Sequence, residues 1–251
     1  MKERGERIAM LTAYDFPTAR LLDEAGVEIL LVGDSLAMVV QGRATTLSVR
    51  LRDMIYHGEM VVRAAQRSMV VVDLPFPHGQ LGVRETLRVS ARIMKRTGCQ
   101  AVKLEGGAEQ AETIATLVAA GIPVIAHVGL RPQSVHALGG YKVQRNEQRI
   151  REDATAAQQA GAFCVLMECV PRDLAREITA MLRVPTIGIG AGPDCDGQVL
   201  VTHDMLGLTC GYVPKFVRPF ANLAQQTQTA VKQFISQVRD QSFPSADESF
   251  N

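Results

Sequence analysis

The sequence has no surplus of charge of either sign: 27 Lys and Arg stand against 26 Asp and Glu in 251 residues. That balance leaves no electrostatic footprint for nucleic acid or an anionic membrane, so a small molecule is the default partner. Long hydrophobic runs are missing as well. No apolar stretch reaches the roughly 18 residues of a membrane-spanning helix, and the opening MKERGERIAMLTAYD has no signal-peptide core. Cysteine is scarce: Cys99, Cys164, Cys169, Cys195 and Cys210 include no CxxC pair and mostly lie in or beside apolar runs. They read as reduced, buried thiols of a cytoplasmic protein, not as a disulfide frame or a metal clip.

What the chain does have is apolar content, 47%, enough for a full core. Helix-like segments end at Gly26, Gly98, Gly121 and Gly161, and a β-branched apolar run follows each. A glycine in the left-handed conformation ends a helix there, which is the rhythm of αβ units. Eight runs have strand length: 8–14, 28–34, 69–76, 101–106, 123–129, 164–170, 185–190 and 199–205. Their near-continuous hydrophobicity suits parallel strands covered by helices. Between them, Leu51, Met54, Ile55, Val61, Val62 and Ala65, then Leu87, Ala91 and Met94, then Ile114, Leu117 and Val118 have helical spacing, each set predicting one apolar stripe. The pattern predicts a single (β/α)8 TIM barrel over residues 1–251 with a polar, fraying tail at 240–251; a doubly wound open sheet is the alternative. Residues 129–148 form a long polar connection with a Gly139-Gly140 pair, a length typical of functional lids.

Ionisable residues gather at the C-terminal ends of these runs, where barrel enzymes assemble their sites. Asp34 ends EILLVGD, Asp73 ends MVVVD, Lys103 and Glu105 lie in AVKLEG, His127 in PVIAH and Glu168 in CVLME. Alternation places Leu30, Val32 and Asp34 on one strand face, and likewise Val71 with Asp73 and Lys103 with Glu105. Buried charge is costly unless paired or bound to metal, so five such choices in a row point to a site. Asp34 and Asp73 offer the hard oxygens that Mg²⁺ takes while keeping water positions open, and a metal so held can chelate a 2-oxo acid and stabilise its enolate. Glu168 is the candidate base, with its pKa raised by burial, and Lys103 would neutralise substrate charge. GIGAG at residues 188–192 lacks the third glycine of a GxGxxG loop and carries little weight.

The stretches MLTAYD, VGDSLAMVVQG, YH, DLPF, VKLEGG, AHVGL with PQSV, GGYKVQ, MECVP, IGIGAG, DGQVLV, HDMLGL and PKFV follow in order from Met10 to about Asn222. Together they closely resemble the ketopantoate hydroxymethyltransferase (3-methyl-2-oxobutanoate hydroxymethyltransferase) family. The resemblance implies a Mg²⁺-dependent (β/α)8 barrel that transfers a one-carbon unit from 5,10-methylenetetrahydrofolate to 3-methyl-2-oxobutanoate, forming 2-dehydropantoate on the way to pantothenate. It implies that Asp34 and Asp73 bind metal with Glu105 supporting the metal shell, that Asp34, Ser35, Asp73, Lys103 and His127 line the substrate pocket, and that Glu168 is the base. It also implies a homo-oligomer, a decamer. Members commonly have further residues before the first strand; Ala37, Arg43 and Arg145 depart from the family pattern in loops that bear on folate contacts. The rival readings are a Mg²⁺-dependent carbon–carbon lyase or mutase of the phosphoenolpyruvate mutase and isocitrate lyase type, whose KKCGH-like loop is absent here, and a barrel retained for binding alone.

Overall fold

A computed structural model describes residues 1–137, 139–209, 211 and 213–250. Cys210 lies outside them. The chain divides into two compact units, Met1–Val201 and Thr202–Asn251.

The first unit is a closed barrel of eight parallel strands in sequential order: β1 (Ile8–Thr12), β2 (Ile29–Val32), β3 (Met69–Asp73), β4 (Ala101–Glu105), β5 (Val124–Gly129), β6 (Cys164–Glu168), β7 (Thr186–Ile189) and β8 (Gly197–Leu200). Its helices are α1 (Phe16–Glu24), the short α2 (Leu36–Val39), α3 (Leu51–Ala64), α4 (Val83–Thr97), α5 (Ala111–Ala119), α6 (Glu147–Gln159) and α7 (Arg172–Met181). The second unit holds α8 (Thr202–Met205) and α9 (Leu223–Arg239). Among the described residues no helix is long and apolar enough to cross a membrane.

Strand alternation sorts the apolar residues into two cores. Met10, Ile29, Leu31, Val71, Ala101, Ile125, Leu166, Ile187 and Val199 fill the barrel interior. Leu30, Val32, Val70, Val72, Val102, Leu104, Val165 and Met167 face outward and pack with helix residues such as Met54, Ile93, Leu117 and Ile178. This is the arrangement of a barrel closed around side chains with helices outside. Gly26, Gly98, Gly121 and Gly161 all have positive φ at helix ends, as the sequence predicts.

Two expectations need correction. The last strand is Gly197–Leu200, and residues 202–205 are helical, where 199–205 was expected as strand. The apolar run starts late because Gly197 carries no side chain; a Cβ there would sit 2.5 Å from the Ile8 carbonyl oxygen on β1. On α4 the buried stripe is Thr86, Val89, Ser90, Ile93 and Thr97, while Ala91 is exposed and Leu87 and Met94 are only partly covered. Polar residues hide in that stripe because their hydroxyls bond backbone carbonyls: Ser90 to Thr86 and Thr97 to Ile93. The thiols of Cys99, Cys164 and Cys195 are free and buried, and Cys169 is half-buried.

Candidate active site

Asp73, Lys103, Glu105, His127 and Glu168 share strand parity with the interior core residues Val71, Ala101, Ile125 and Leu166, so they form its upper continuation. Strand register sets their neighbours: Asp73 pairs with Lys103 across β3 and β4, and Glu105 with His127 across β4 and β5. Asp34 arrives differently from the expected alternation. Leu30 and Val32 face the helices, so a continued strand would carry Asp34 outward. Instead β2 ends at Val32 and the chain turns at Gly33, leaving Asp34 buried with its N–H donating to Asp73 Oδ2 at 3.0 Å.

Lys103 Nζ lies 3.0 Å from Asp73 Oδ1 and 3.2 Å from His127 Nδ1. The pair with Asp73 is off the hydrogen-bond axis, and Asp73 Oδ1 is buried with no hydrogen-bond donor. His127 Nε2 stands 3.2 Å from Glu168 Oε2, also off-axis, and Nδ1 is 3.9 Å from Glu105 Oε1. Because the ammonium can only donate, Nδ1 accepts and the ring proton belongs on Nε2, facing Glu168. Ser35 begins α2, and its Oγ is 2.8 Å from the hydroxyl of the buried Tyr14. Four carboxylates, those of Asp34, Asp73, Glu105 and Glu168, thus face one ammonium.

Burial governs the protonation of this cluster. It pushes Asp73 up to about 6, with Asp34 adding to the rise and Lys103 opposing it. Glu105 is raised well above the ordinary carboxylate range by burial and by Asp34. Burial raises Glu168 to about 7 against the pull of Lys103. Burial and Lys103 hold His127 well below its usual value, so the imidazole is neutral. For Lys103 burial acts downward, but Asp73, Asp34 and Glu105 outweigh it and keep it charged. Glu168 is the most open of the ion-paired groups, its side chain 16% exposed against 1% for Glu105 and 3% for Asp73.

Sequence reasoning missed Gln133. It sits in the 3-10 turn Pro132–Ser134 after β5, buried, with Nε2 donating to Asp34 Oδ2 at 2.9 Å and its backbone N–H to Glu105 Oε2 at 3.1 Å. Its sequence signals are a place in the long connection after the fifth run and membership of the PQSV stretch, neither of which assigns it a role. That connection is pinned to the strand carrying Glu168: Leu130 N–H donates to the Glu168 carbonyl at 2.8 Å and Gln144 N–H to the Cys169 carbonyl at 3.0 Å. Cys169 itself has a left-handed φ of 50°, strain of the kind stored at functional sites. Among the described residues no group of three or more His, Cys, Asp or Glu is placed to hold a metal ion. The glycine-rich 188–192 segment packs on protein, since a Cβ at Gly192 would meet Arg172 at 2.6 Å.

The sequence profile of the family described as ketopantoate hydroxymethyltransferase matches residues 1–246. The 3-methyl-2-oxobutanoate hydroxymethyltransferase of Rhodopirellula baltica is 62% identical over 250 residues, covering 100% of this chain and 93% of that one. The protein of the same name from Syntrophus aciditrophicus is 53% identical over 254 residues, again covering 100% and 93%. Among solved structures, a 2,3-dimethylmalate lyase of the PEP mutase/isocitrate lyase superfamily aligns with TM-score 0.64 and 20% identity over 100% of this chain and 85% of its own. A phosphonopyruvate hydrolase complex with oxalate and Mg²⁺ aligns with TM-score 0.63 and 15% identity over 98% and 89%. At such identities these two speak for the barrel fold alone.

Proposed function

This chain belongs to the ketopantoate hydroxymethyltransferase family, and from that premise we propose that it adds a hydroxymethyl group to 3-methyl-2-oxobutanoate, taking the carbon from 5,10-methylenetetrahydrofolate with Mg²⁺ at the acidic rim. The observation that carries the reading is the placement of Asp34 and Asp73 beside Lys103, with Glu168 two contacts away through His127.

The donor set fits a divalent ion. Asp34 Oδ2 and Asp73 Oδ2 are each engaged by a fixed donor, Asp73 Oδ1 has the Lys103 ammonium 3.0 Å away, and among the described residues no hydrogen bond is recorded at Asp34 Oδ1. Mg²⁺ characteristically takes one or two carboxylates and fills its other positions with water and substrate oxygens. Asp34 and Asp73 would hold it, with Glu105 supporting the shell. When bound, Mg²⁺ supplies a Lewis acid for the two oxygens of a 2-oxo acid and eases loss of the proton at C3.

The chain's own residues supply the rest. Glu168, with a pKa near neutrality, accepts the C3 proton as the C–H bond breaks and the enolate forms. Neutral His127 presents its Nε2–H side to Glu168, and Lys103 balances the negative charge of the substrate. Ser35, oriented by Tyr14, contributes a hydroxyl to the same pocket. The methylene carbon then bonds to C3 while its two C–N bonds to the folate break, water supplies the hydroxyl group, and tetrahydrofolate leaves with two new N–H bonds, their protons coming from C3 and from that water. Cytoplasmic location and assembly into a homo-oligomer, the decamer the resemblance implies, belong to this reading and rest on the family.

The test is an assay of folded protein with Mg²⁺, methylenetetrahydrofolate and 3-methyl-2-oxobutanoate. Ketopantoate should form and tetrahydrofolate appear in equal amount. No product from metal-supplemented protein, or turnover of oxaloacetate or isocitrate without folate, would count against it.

A further inference from the structure

Gln133 belongs to a loop, yet it is only 6% exposed and reaches the ends of three strands. Its Nε2 donates to Asp34 Oδ2 beyond β2 at 2.9 Å and to the Leu74 carbonyl beyond β3 at 2.8 Å. Its Oε1 accepts from Gln80 Nε2 at 3.3 Å, and its backbone N–H donates to both oxygens of Glu105 on β4, at 3.3 and 3.1 Å. Both neighbours of Nε2 are pure acceptors, so the amide has one orientation.

We propose that Gln133 is a positioning residue for a divalent cation, holding Asp34 Oδ2 so that Oδ1 is the oxygen presented to the ion. The inference rests on the reading that Asp34 and Asp73 form the cation site. The residue type suits the task. A primary amide donates to Asp34 without cancelling its charge, in contrast to the ammonium that pairs with Asp73. Gln133 also links this hold to the loop, because the residue that orients Asp34 is carried by the connection that Leu130 fastens to the Glu168 carbonyl. Losing a group in this outer position typically costs about 10- to 100-fold in metal affinity.

The experiment titrates Mn²⁺, a spin-active stand-in for Mg²⁺, into the metal-free full chain and reads free Mn²⁺ by electron paramagnetic resonance. Wild type, Gln133→Met and Asp73→Asn are compared. Methionine keeps the length and burial of glutamine and leaves the backbone donor to Glu105 intact. Gln133→Met should weaken Mn²⁺ binding about 10- to 100-fold in protein that remains folded. A packing role would lower the melting temperature without moving the affinity of the folded protein. Affinity within twofold of wild type overturns the inference. If wild type binds no Mn²⁺, or Asp73→Asn binds it equally well, the cation-site reading fails and takes the inference with it; normal wild-type binding lost in Asp73→Asn but unchanged in Gln133→Met sinks the inference alone. Should Gln133→Met not fold, Gln133→Asn, which withdraws the amide by one methylene, is held to the same criterion.

Discussion

The backbone N–H of Asp34 donates to Asp73 Oδ2 at 3.0 Å, so one acidic residue fixes the carboxylate of the other. Asp73 is at the same time the ion-pair partner of the buried Lys103. Asp73→Asn therefore removes a candidate metal ligand and leaves the Lys103 ammonium to Asp34, Glu105 and His127. Because burial already disfavours the ionised form of Asp73, the neutral amide should leave the metal-free fold about as stable as wild type in urea unfolding at pH 8. Activity should fall at least about 100-fold, a loss of roughly 3 kcal/mol in transition-state stabilisation. A marked loss of stability at pH 8 would mean that the Asp73–Lys103 pair outweighs the cost of burying the carboxylate.

Glu168→Gln keeps the shape of the base and removes its proton affinity. Exchange of the C3 proton of 3-methyl-2-oxobutanoate for deuterium, followed by NMR, should slow by about 10²- to 10⁴-fold, the usual contribution of a positioned general base. Mn²⁺ affinity should change little, since Asp34 and Asp73 are untouched. Exchange at the wild-type rate would remove Glu168 from the chemistry.

Much of this site was legible in the sequence because strand parity is a two-residue code. Val71 with Asp73, and Lys103 with Glu105, do share the inward face. The same code failed at Asp34, since parity stops applying where β2 stops, at Val32. The helical spacing failed at α4, where side chains that bond carbonyls one turn back let Thr86 and Ser90 occupy buried positions. The role of Gln133, although the residue lies in the PQSV stretch, was illegible for a different reason. A loop residue has no periodicity, and only the closed ring of strands brings position 133 to position 34 across 99 residues of chain.

Asp23 provides a control away from the chemistry. Near the end of α1, its Oδ1 accepts from the backbone N–H of Arg67 at 3.0 Å and of Ser68 at 2.7 Å, tying that helix to the entry of β3. Asp23→Ala leaves buried donors unsatisfied and should cost about 1–3 kcal/mol. Steady-state activity of the folded fraction should match wild type. A change in KM for the oxo acid would show that strain at the base of β3 reaches Asp73.

The pH dependence of stability has a definite sign. Glu168 titrates at about 7 in the fold against 4.5 for an ordinary glutamate, and Asp73 at about 6 against 3.8. Between the lower and higher values the native state binds more protons than the unfolded chain, so stability falls as pH rises through roughly 4 to 7. Ionising these buried groups costs on the order of a few kcal/mol by pH 8, opposed on the acid side by His127, which burial holds neutral. Metal-free protein should therefore resist urea better at pH 5 than at pH 8. A divalent ion reverses the balance, because it binds the carboxylates that high pH leaves ionised. Added Mg²⁺ should raise the unfolding midpoint more at pH 8 than at pH 5, and an equal increment at both would show that these carboxylates are not its ligands. The same titration predicts the acid limb of kcat/KM, which should have its midpoint near pH 7 and lose it in Glu168→Gln.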